Sequence, residues 1–306
     1  MSDPYKIVWL RHEEIDKGKW DDCIHKAHNG LIYAYSFYLD TMAVHWDALV
    51  MGDYEAVMPL TWNKKYGIKY LYQPFLAAQL GVFGAATTWE LVSSFIRVIP
   101  ASFRFAEISL NSKNNPVYPV GLSTDRINHL LDLNKPYETL RSNYGENIRR
   151  NARKASQAGC FAEKEFAVEK VIELAAEQMK SQGNEEKENI ERFRKLFQYL
   201  HPRQMAMTYG IFSNENKLLA SAVFFFSHNR AYYILVGNHP DGKSSGASHA
   251  LIDTFIKDHA GKDMLLDFEG SDILSLAQFY RGFGAIEEKY PAIRINRLPF
   301  YLRWLK

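Results

Sequence analysis

Hydrophobic and polar residues alternate along this chain with two periods, one typical of strands and one typical of helices. Residues 230–236 are rich in aromatic and branched side chains, which favours a buried strand. Beyond this strand, Ala247, Leu251 and Phe255 recur every four residues, and the spacing predicts an amphipathic helix over 246–259. The second half also predicts strands at 160–166, 205–212, 218–227, 264–268 and 286–295, and helices at 168–182, 189–200 and 274–283.

The first half carries similar patterns. Gly52 and Asp53 predict a hairpin turn, and Pro100 closes a helix. The predicted helices are 13–28, 35–44 and 89–99, and the predicted strands are 46–51, 55–62, 69–73, 103–110 and 129–133. One long helix over 136–158, from Pro136 to the terminating Gly159, is expected to connect the halves. The sequence therefore predicts two domains, residues 1–135 and 136–306.

The composition is that of a globular protein with enough chain for two cores. Of the 306 residues, 47% are hydrophobic and 24% are charged. The net charge of +2 is too small for general polyanion binding, so any such site must come from a local cluster. The first residues lack a signal-peptide core, and no apolar run is long enough to span a membrane. We therefore expect a cytoplasmic protein without membrane insertion.

The cysteines and histidines do not indicate metal chemistry. Cys23 and Cys160 lie far apart in the sequence and form no ligand quartet. His239, His249 and His259 are the closest-set histidines, but they straddle a predicted loop and helix without the spacing of zinc ligands. We therefore expect no metal.

Small residues between the strand at 230–236 and the helix at 246–259 suggest a phosphate site. The start of a helix leaves backbone N–H groups unpaired and carries the positive end of the helix dipole, which suits a pyrophosphate. The candidate binding residues are Gly242, Lys243, Ser244, Ser245, Gly246 and Ala247, among which Lys243 adds a charge. An ordinary strand-to-helix turn would also use such residues, so the pattern alone leaves both interpretations open.

Four motifs give the chain a resemblance to a known family. They are Asn-Ile-Arg-Arg-Asn-Ala-Arg-Lys-Ala at 147–155, the segment 237–248, Asp-Phe-Glu-Gly-Ser at 267–271, and Phe-Tyr-Arg-Gly-Phe-Gly-Ala at 279–285. With these motifs the sequence resembles the GNAT superfamily of N-acyltransferases, and within it the FemABX-like branch. The resemblance covers residues 136–290 well and the first half only loosely.

This resemblance implies an α+β fold with mixed sheets, arranged as tandem GNAT-like acyl-CoA N-acyltransferase domains. Domain 1–135 would be degenerate, domain 136–306 would be the acyltransferase, and residues 299–306 would return to the first domain. The resemblance also implies an acyl-CoA such as acetyl-CoA as co-substrate, held by the segment 242–247. The acceptor would be an amine-bearing small molecule or peptide.

Two side chains are candidates for proton transfer in such a reaction. Glu269 follows a predicted strand and could accept a proton from the amine, directly or through water. The alternative is that Asp267 and Glu269 cap the next helix. Tyr280 lies on the last predicted helix, where the resemblance implies protonation of a leaving thiolate. The alternative is that Tyr280 is a core aromatic residue whose hydroxyl end contacts solvent.

Basic residues are candidates for substrate binding. Arg149 with Arg153, and Arg150 with Lys154, are spaced four apart, so they form a charged ridge on the predicted helix. This ridge could contact tRNA or the phosphates of a nucleotide-linked acceptor, and a solvated helix face is the alternative. Arg281 could meet a phosphate or a carboxylate.

These observations are compatible with three functions. The first is transfer of an acyl group from an acyl-CoA to an amine. The second is a FemABX-type, aminoacyl-tRNA-dependent transfer to a peptidoglycan precursor. Tyr280 counts against the second, because tRNA-dependent members commonly have a lysine after the phenylalanine that corresponds to Phe279. The third is a non-catalytic GNAT-fold binding module, which the few glycines of the loop, Gly242 and Gly246, favour.

Overall fold

The computed structural model describes residues 6–114, 122–181, 187–270 and 273–300. The chain forms two compact units: unit 1 comprises Met1–Arg126 and Lys289–Lys306, and unit 2 comprises Ile127–Glu288. The two boundaries between the units, after Arg126 and after Glu288, both lie inside strands. The division at 135/136 stays a prediction, and Ser271 and residues 301–306 of the predicted C-terminal return lie outside the described residues.

Helices and strands are mixed in both units, which confirms the predicted α+β class. The elements of unit 1 are β1 Ile7–Leu10, α1 Lys17–Lys26, α2 Ser36–Met42, β2 His45–Met51, β3 Ala56–Lys65, β4 Ile68–Leu71, β5 Phe83–Gly84, α3 Trp89–Arg97 and β6 Phe103–Ser109. The elements that follow are β7 Leu122–Asp132, α4 Tyr137–Ser142, α5 Glu146–Gln157, β8 Phe161–Lys164, α6 Val168–Ser181, α7 Lys187–Leu200, β9 Ala206–Phe212, β10 Leu218–Ser227, β11 Arg230–Asn238, α8 Pro240–Ser245, α9 Ala247–His259, β12 Leu265–Asp267, α10 Leu274–Arg281 and β13 Ile286–Asn296.

Unit 1 is built on strands in the order β1-β2-β3-β4-β6-β13, with β5 paired to β3. The pairs are antiparallel except β4 with β6. Helix α3 packs on this sheet through Val92, Phe95 and Ile96. These residues join a buried cluster with Phe103 and Ile108. This stripe of apolar residues at helical spacing explains why 89–97 forms a helix and packs there.

Unit 2 has the strand order β7-β12-β11-β10-β9-β8. Only β11 and β12 run parallel within this set of pairs, and the other pairs are antiparallel. Helix α9 buries Leu251, Ile252, Phe255 and Ile256 against the sheet. The ring of Phe255 stacks on Phe224 of β10 with their centroids 3.7 Å apart, so the predicted stripe of α9 forms the centre of this core.

The single predicted helix over 136–158 is wrong. Helix α4 ends at Ser142 and α5 begins at Glu146, with Gly145 between them in an extended conformation. The Gly145 N–H donates to the carbonyl oxygen of Gly282, with 2.8 Å between nitrogen and oxygen. This long-range bond takes the N–H away from the helix, which is why local propensity did not reveal the break.

Replacing Phe255 by alanine should lower the free energy of unfolding by about 3–5 kcal/mol, because the cavity left beside Phe224 cannot collapse fully. Urea denaturation followed by circular dichroism measures this loss. The matched control is Leu274→Ala, whose side chain is 67% exposed and should change stability by less than about 0.5 kcal/mol. Similar losses for the two variants would contradict the assignment of this core.

Candidate active site

A cleft in unit 2 opens where strands β11 and β12 part. Their parallel pairing joins Arg230 through Tyr232 to Leu265 through Asp267, and β11 then continues to Asn238 while β12 ends. The pairing of β11 with β10 shifts register between Val223 and Phe224, which leaves Ile234 as the extra residue of a β-bulge. The bulge bends β11 at the point where the two strands diverge.

The cleft has a volume of about 790 Å³ and lies among α6, β11, α8, α9 and α10. This volume falls in the range of sites for small molecules and cofactors. Its apolar wall comes from Leu174, Tyr233, Val236, Leu276, Phe279 and Tyr280. Its polar groups come from α6, the end of β11, the start of α8 and the start of α9; they are Glu177, Gln178, Ser181, Asn238, His239, Lys243, Ser248 and His249. The cleft therefore combines an apolar wall with polar groups, as a ligand site does.

Asn238 ties three walls of the cleft together. Its N–H donates to the Gln178 side-chain oxygen of α6 over 2.8 Å, and its own amide oxygen accepts from the Ser248 hydroxyl of α9 over 2.6 Å. Just before it, Gly237 lets α6 approach closely, since a Cβ there would lie 2.7 Å from the backbone nitrogen of Ala175. No local sequence pattern marks this network, because its members are far apart in the chain.

The segment predicted as a phosphate-binding turn forms helix α8 instead. His239 caps it, with its Nδ1 accepting the Asp241 N–H over 3.1 Å. The Ser244 hydroxyl donates to the carbonyl oxygen of Asp241, and the Ser245 hydroxyl donates to that of Gly242. The prediction of a turn was wrong here. Glycine and serine have a low helix propensity, and this helix is stabilised by its cap and by the hydroxyl hydrogen bonds instead.

The two glycines of this segment are required by packing. A Cβ on Gly242 would lie 2.4 Å from the carbonyl oxygen of Leu219. Gly246 has a φ of +78°, and a Cβ there would lie 2.3 Å from the carbonyl oxygen of Asn151 in α5. Gly242 and Lys243 line the cleft, and Ser244, Ser245, Gly246 and Ala247 are not among the described residues that line it. Phosphate binding by the six predicted residues stays a prediction.

Tyr280 and Glu269, the two predicted proton-transfer residues, lie close enough to interact. Tyr280 lines the cleft, is buried, and stacks on Phe268 with centroids 4.5 Å apart. Burial, assisted by the negative charge of Glu269, raises the pKa of Tyr280 to about 12. The phenol therefore stays protonated at neutral pH beside a carboxylate.

The alternative role of Asp267 and Glu269, as caps of the next helix, stays a prediction. Ile273 is the N-cap residue of α10, and its own side chain makes no capping hydrogen bond. Asp267 accepts from the Arg230 guanidinium over 2.7 Å and from the Glu269 N–H over 2.8 Å. Glu269 has a φ of +66°, a conformation that its bond to Asp267 helps to hold. The buried pair of Arg230 and Asp267 thus joins β11 to β12 and orients the segment carrying Glu269.

Two histidines that the sequence analysis did not assign flank this centre. His249 lines the cleft, and burial lowers its pKa to about 4. His129 of β7 is fully buried, its ring lies 5.9 Å from that of Tyr280, and neither of its ring nitrogens has a hydrogen-bond partner among the described residues. Burial, with the positive charge of Arg281 as the second cause, lowers the pKa of His129. Both imidazoles are therefore uncharged at neutral pH.

The predicted basic residues lie outside the cleft lining. Arg149, Arg150 and Arg153 are exposed on α5, and Arg150 donates to the side-chain oxygen of Asn147 over 2.8 Å. Arg281 pairs with Glu287 over 2.9 Å. Substrate binding by these four arginines stays a prediction.

Within the described ranges, no group of three or more histidine, cysteine or acidic side chains is arranged to hold a metal ion. Among the same residues, the helices are all too short or too polar to cross a bilayer.

Replacing Asp267 by alanine should lower the free energy of unfolding by about 3–5 kcal/mol, because Arg230 would remain buried without its partner. The double variant Arg230→Met, Asp267→Leu should lose less than Asp267→Ala alone, since it removes the uncompensated charge as well. Urea denaturation measures both losses. Asp22→Ala, which breaks the exposed pair with Lys26, is the control and should cost less than about 1 kcal/mol. An equal loss for Asp22→Ala and Asp267→Ala would refute the role of the buried pair.

Acid should destabilise the folded protein partly through His249. Its pKa falls from 6.5 to about 4 on folding, so below pH 6.5 the unfolded chain binds a proton that the folded chain does not. This contribution to stability is present above pH 6.5 and is lost as the pH falls towards about 4. Over that interval, the stability of wild type should fall more steeply than that of His249→Gln, by up to about 1.4 kcal/mol per pH unit. Denaturation at several pH values measures both stabilities. If the free energies of unfolding of wild type and His249→Gln fall in parallel with pH, the lowered pKa of His249 is contradicted.

Part of the sequence matches a known protein family. Residues 142–272 match the family model of the acetyltransferase (GNAT) domain. This segment includes α6, β11, α8 and α9 of the cleft, whereas α10 with Tyr280 lies beyond its end. No curated protein matches the sequence.

Solved structures share the fold at low sequence identity. FemX aligns with a TM-score of 0.67 and 13% identity, over 96% of this chain and 98% of FemX. A conserved protein of unknown function from Bacteroides thetaiotaomicron VPI-5482 aligns with a TM-score of 0.58 and 13% identity, over 91% of this chain and 96% of that protein. The C-terminal domain (DUF2156) of a candidate lysylphosphatidylglycerol synthetase from Agrobacterium fabrum aligns with a TM-score of 0.56 and 10% identity, over 93% of this chain and 92% of that domain. This chain has a FemABX-like GNAT fold.

Proposed function

We propose that this protein is an N-acyltransferase, which uses the unit 2 cleft to transfer an acyl group from an acyl-CoA thioester to an amine. The observation that carries the proposal is Tyr280, a buried phenol that lines the cleft where β11 and β12 part and lies near the carboxylate of Glu269. The match to the GNAT domain over 142–272 supports an acyltransferase fold around this cleft and names neither donor nor acceptor.

In this reaction the amine nitrogen attacks the carbonyl carbon of the thioester, so a C–N bond forms and the C–S bond breaks. Glu269 takes the proton that the amine loses, directly or through water. The Tyr280 hydroxyl gives its proton to the departing thiolate, and the proton held by Glu269 restores the phenol. The net change is an amide and a free thiol, with one proton moved from nitrogen to sulfur.

The protonation state of Tyr280 suits this role. A pKa of about 12 keeps the hydroxyl protonated at neutral pH, so Tyr280, which lines the cleft, holds its proton in nearly every molecule. Lys243, which also lines the cleft, would supply a cation for the phosphates of the donor. The part of β11 beyond the bulge, residues 235–238, would supply backbone groups to the acyl carbonyl and the donor chain.

An aminoacyl-tRNA-dependent transfer to a peptidoglycan precursor is the second candidate. The observation that favours it is the exposed arginine ridge of α5, Arg149, Arg150 and Arg153, none of which forms an ion pair with a described residue. A third candidate, a non-catalytic binding module, would bind the donor in the same cleft without turnover.

Tyr280→Phe should bind acetyl-CoA as wild type does but transfer the acetyl group more slowly. The hydroxyl acts only as the thiolate leaves, so kcat should fall by about 10²–10⁴-fold while the dissociation constant changes by less than about threefold. Calorimetry gives the affinity, and a panel of amines with thiol detection gives kcat. The control is Tyr199→Phe, a 39% exposed tyrosine of α7, which should behave as wild type.

The binding experiment also separates the candidates when it is run beside a charged tRNA mixture at two salt concentrations. Salt-sensitive binding of tRNA without binding of acetyl-CoA would favour the second candidate. Tight acetyl-CoA binding without turnover of any amine would favour the binding module. An unimpaired Tyr280→Phe enzyme would remove Tyr280 from the mechanism.

A further inference from the structure

His249 occupies a position in the cleft that the proposed reaction leaves unassigned. It is the third residue of α9 and lines the cleft together with Tyr280, Val236 and Phe279. Its side chain is partly buried, so part of it remains open to a molecule in the cleft. The proposed roles of Tyr280 at the sulfur and Glu269 at the amine do not include a side-chain donor for the carbonyl oxygen.

The His249 ring is held in place while its polar atoms remain unused. The imidazole lies edge-on to Phe279, with the ring centroids 4.9 Å apart and an interplanar angle of 89°. It also lies 6.5 Å from the ring of Phe283. No hydrogen bond or ion pair joins either of its nitrogens to another residue of the described ranges. Apolar contacts therefore fix the ring, and its nitrogens stay available.

The charge state of this imidazole is also fixed. Burial lowers the pKa of His249 to about 4, and the positive end of the α9 dipole acts in the same direction, because the residue lies in the first turn. At neutral pH the ring is uncharged, with one nitrogen that carries a hydrogen and one that does not. A neutral imidazole near a helix N-terminus can polarise a carbonyl group without titrating in the working pH range, as in triosephosphate isomerase.

We infer that His249 is a further catalytic residue, whose ring N–H donates a hydrogen bond to the carbonyl oxygen of the acyl donor; this rests on the proposed acyl transfer in the same cleft. As the amine attacks, the π electrons of the carbonyl move onto oxygen, and the His249 N–H stabilises that charge. When the C–S bond breaks, the electrons return and re-form the C=O bond. The imidazole keeps its proton throughout.

Three substitutions of His249 separate this role from packing and from general-base catalysis. His249→Phe keeps a ring for the contact with Phe279 but removes the donor. His249→Asn keeps an N–H near the place of Nδ1, and His249→Gln keeps one near the place of Nε2. His201→Asn is the control, since His201 is an exposed histidine that pairs with Glu165 outside the cleft.

His249→Phe should lower kcat by about 10²–10³-fold, the usual effect of losing one oxyanion donor. The dissociation constant of acetyl-CoA should change by less than about threefold, because the charge on oxygen develops only during the reaction. The kcat of either His249→Asn or His249→Gln should be at least about tenfold higher than that of His249→Phe. The profile of kcat against pH for His249→Phe should keep both the acidic and the basic limb of the wild-type profile. The reason is that the neutral ring does not titrate between about pH 5.5 and 9.

Other results would overturn the assignment. A kcat within about threefold of wild type for His249→Phe would make the ring a packing residue. Loss of the acidic limb of the pH profile would make His249 a general base instead. Wild type that transfers acetyl groups while His249→Phe is unimpaired refutes this inference alone. Wild type that binds no acetyl-CoA refutes the proposed function, and the inference with it.

Discussion

The parting of β11 from β12 is the feature on which the rest of the site depends. The strands are joined by a short parallel pairing and by the buried ion pair of Arg230 and Asp267. Immediately beyond, the bulge at Ile234 turns β11 away. Two strands that are held together at one end and bent at the other open a space between them, and helices α6, α9 and α10 close this space into a cleft.

The same arrangement sets the chemistry of the side chains in the cleft. Apolar walls raise the pKa of Tyr280 and lower that of His249, since burial disfavours phenolate and imidazolium alike. Both groups therefore stay neutral over the physiological range. The carboxylate of Glu269 lies close to Tyr280, on a segment that Asp267 orients. The cleft lining thus holds a neutral phenol and a neutral imidazole, and the Glu269 carboxylate acts on the phenol from outside the lining; the proposed acyl transfer uses these three groups.

The sequence could predict much of the fold, because many of its elements are determined locally. The limits of β10 agree with the predicted 218–227, and those of α9 differ from the prediction by one residue. The exceptions have long-range causes. Gly145 breaks a helix because its N–H bonds to Gly282, and α8 forms from glycine and serine because His239 and a pair between Lys217 and Asp241 support it.

The candidate site was less predictable for the same reason. Tyr280 and Glu269 stood in motifs of a known family, whereas Arg230 and Gln178 act through partners 37 and 60 residues away. No local pattern marks such residues. His249 was visible only as a histidine without metal-ligand spacing, and the role proposed for it rests on its place among the walls of the cleft. Sequence motifs pointed to Tyr280, which lines the cleft, and tertiary contacts are needed to describe the walls around it.

The proposed reaction requires an acyl-CoA in this cleft with its reacting sulfur beside Tyr280. A crystal structure with a non-hydrolysable thioether analogue of acetyl-CoA tests this placement. The analogue's sulfur should lie within about 3.5 Å of the Tyr280 hydroxyl, a distance that permits proton donation. An analogue bound elsewhere, or one whose sulfur lies on the far side of the cleft from Tyr280, would contradict it.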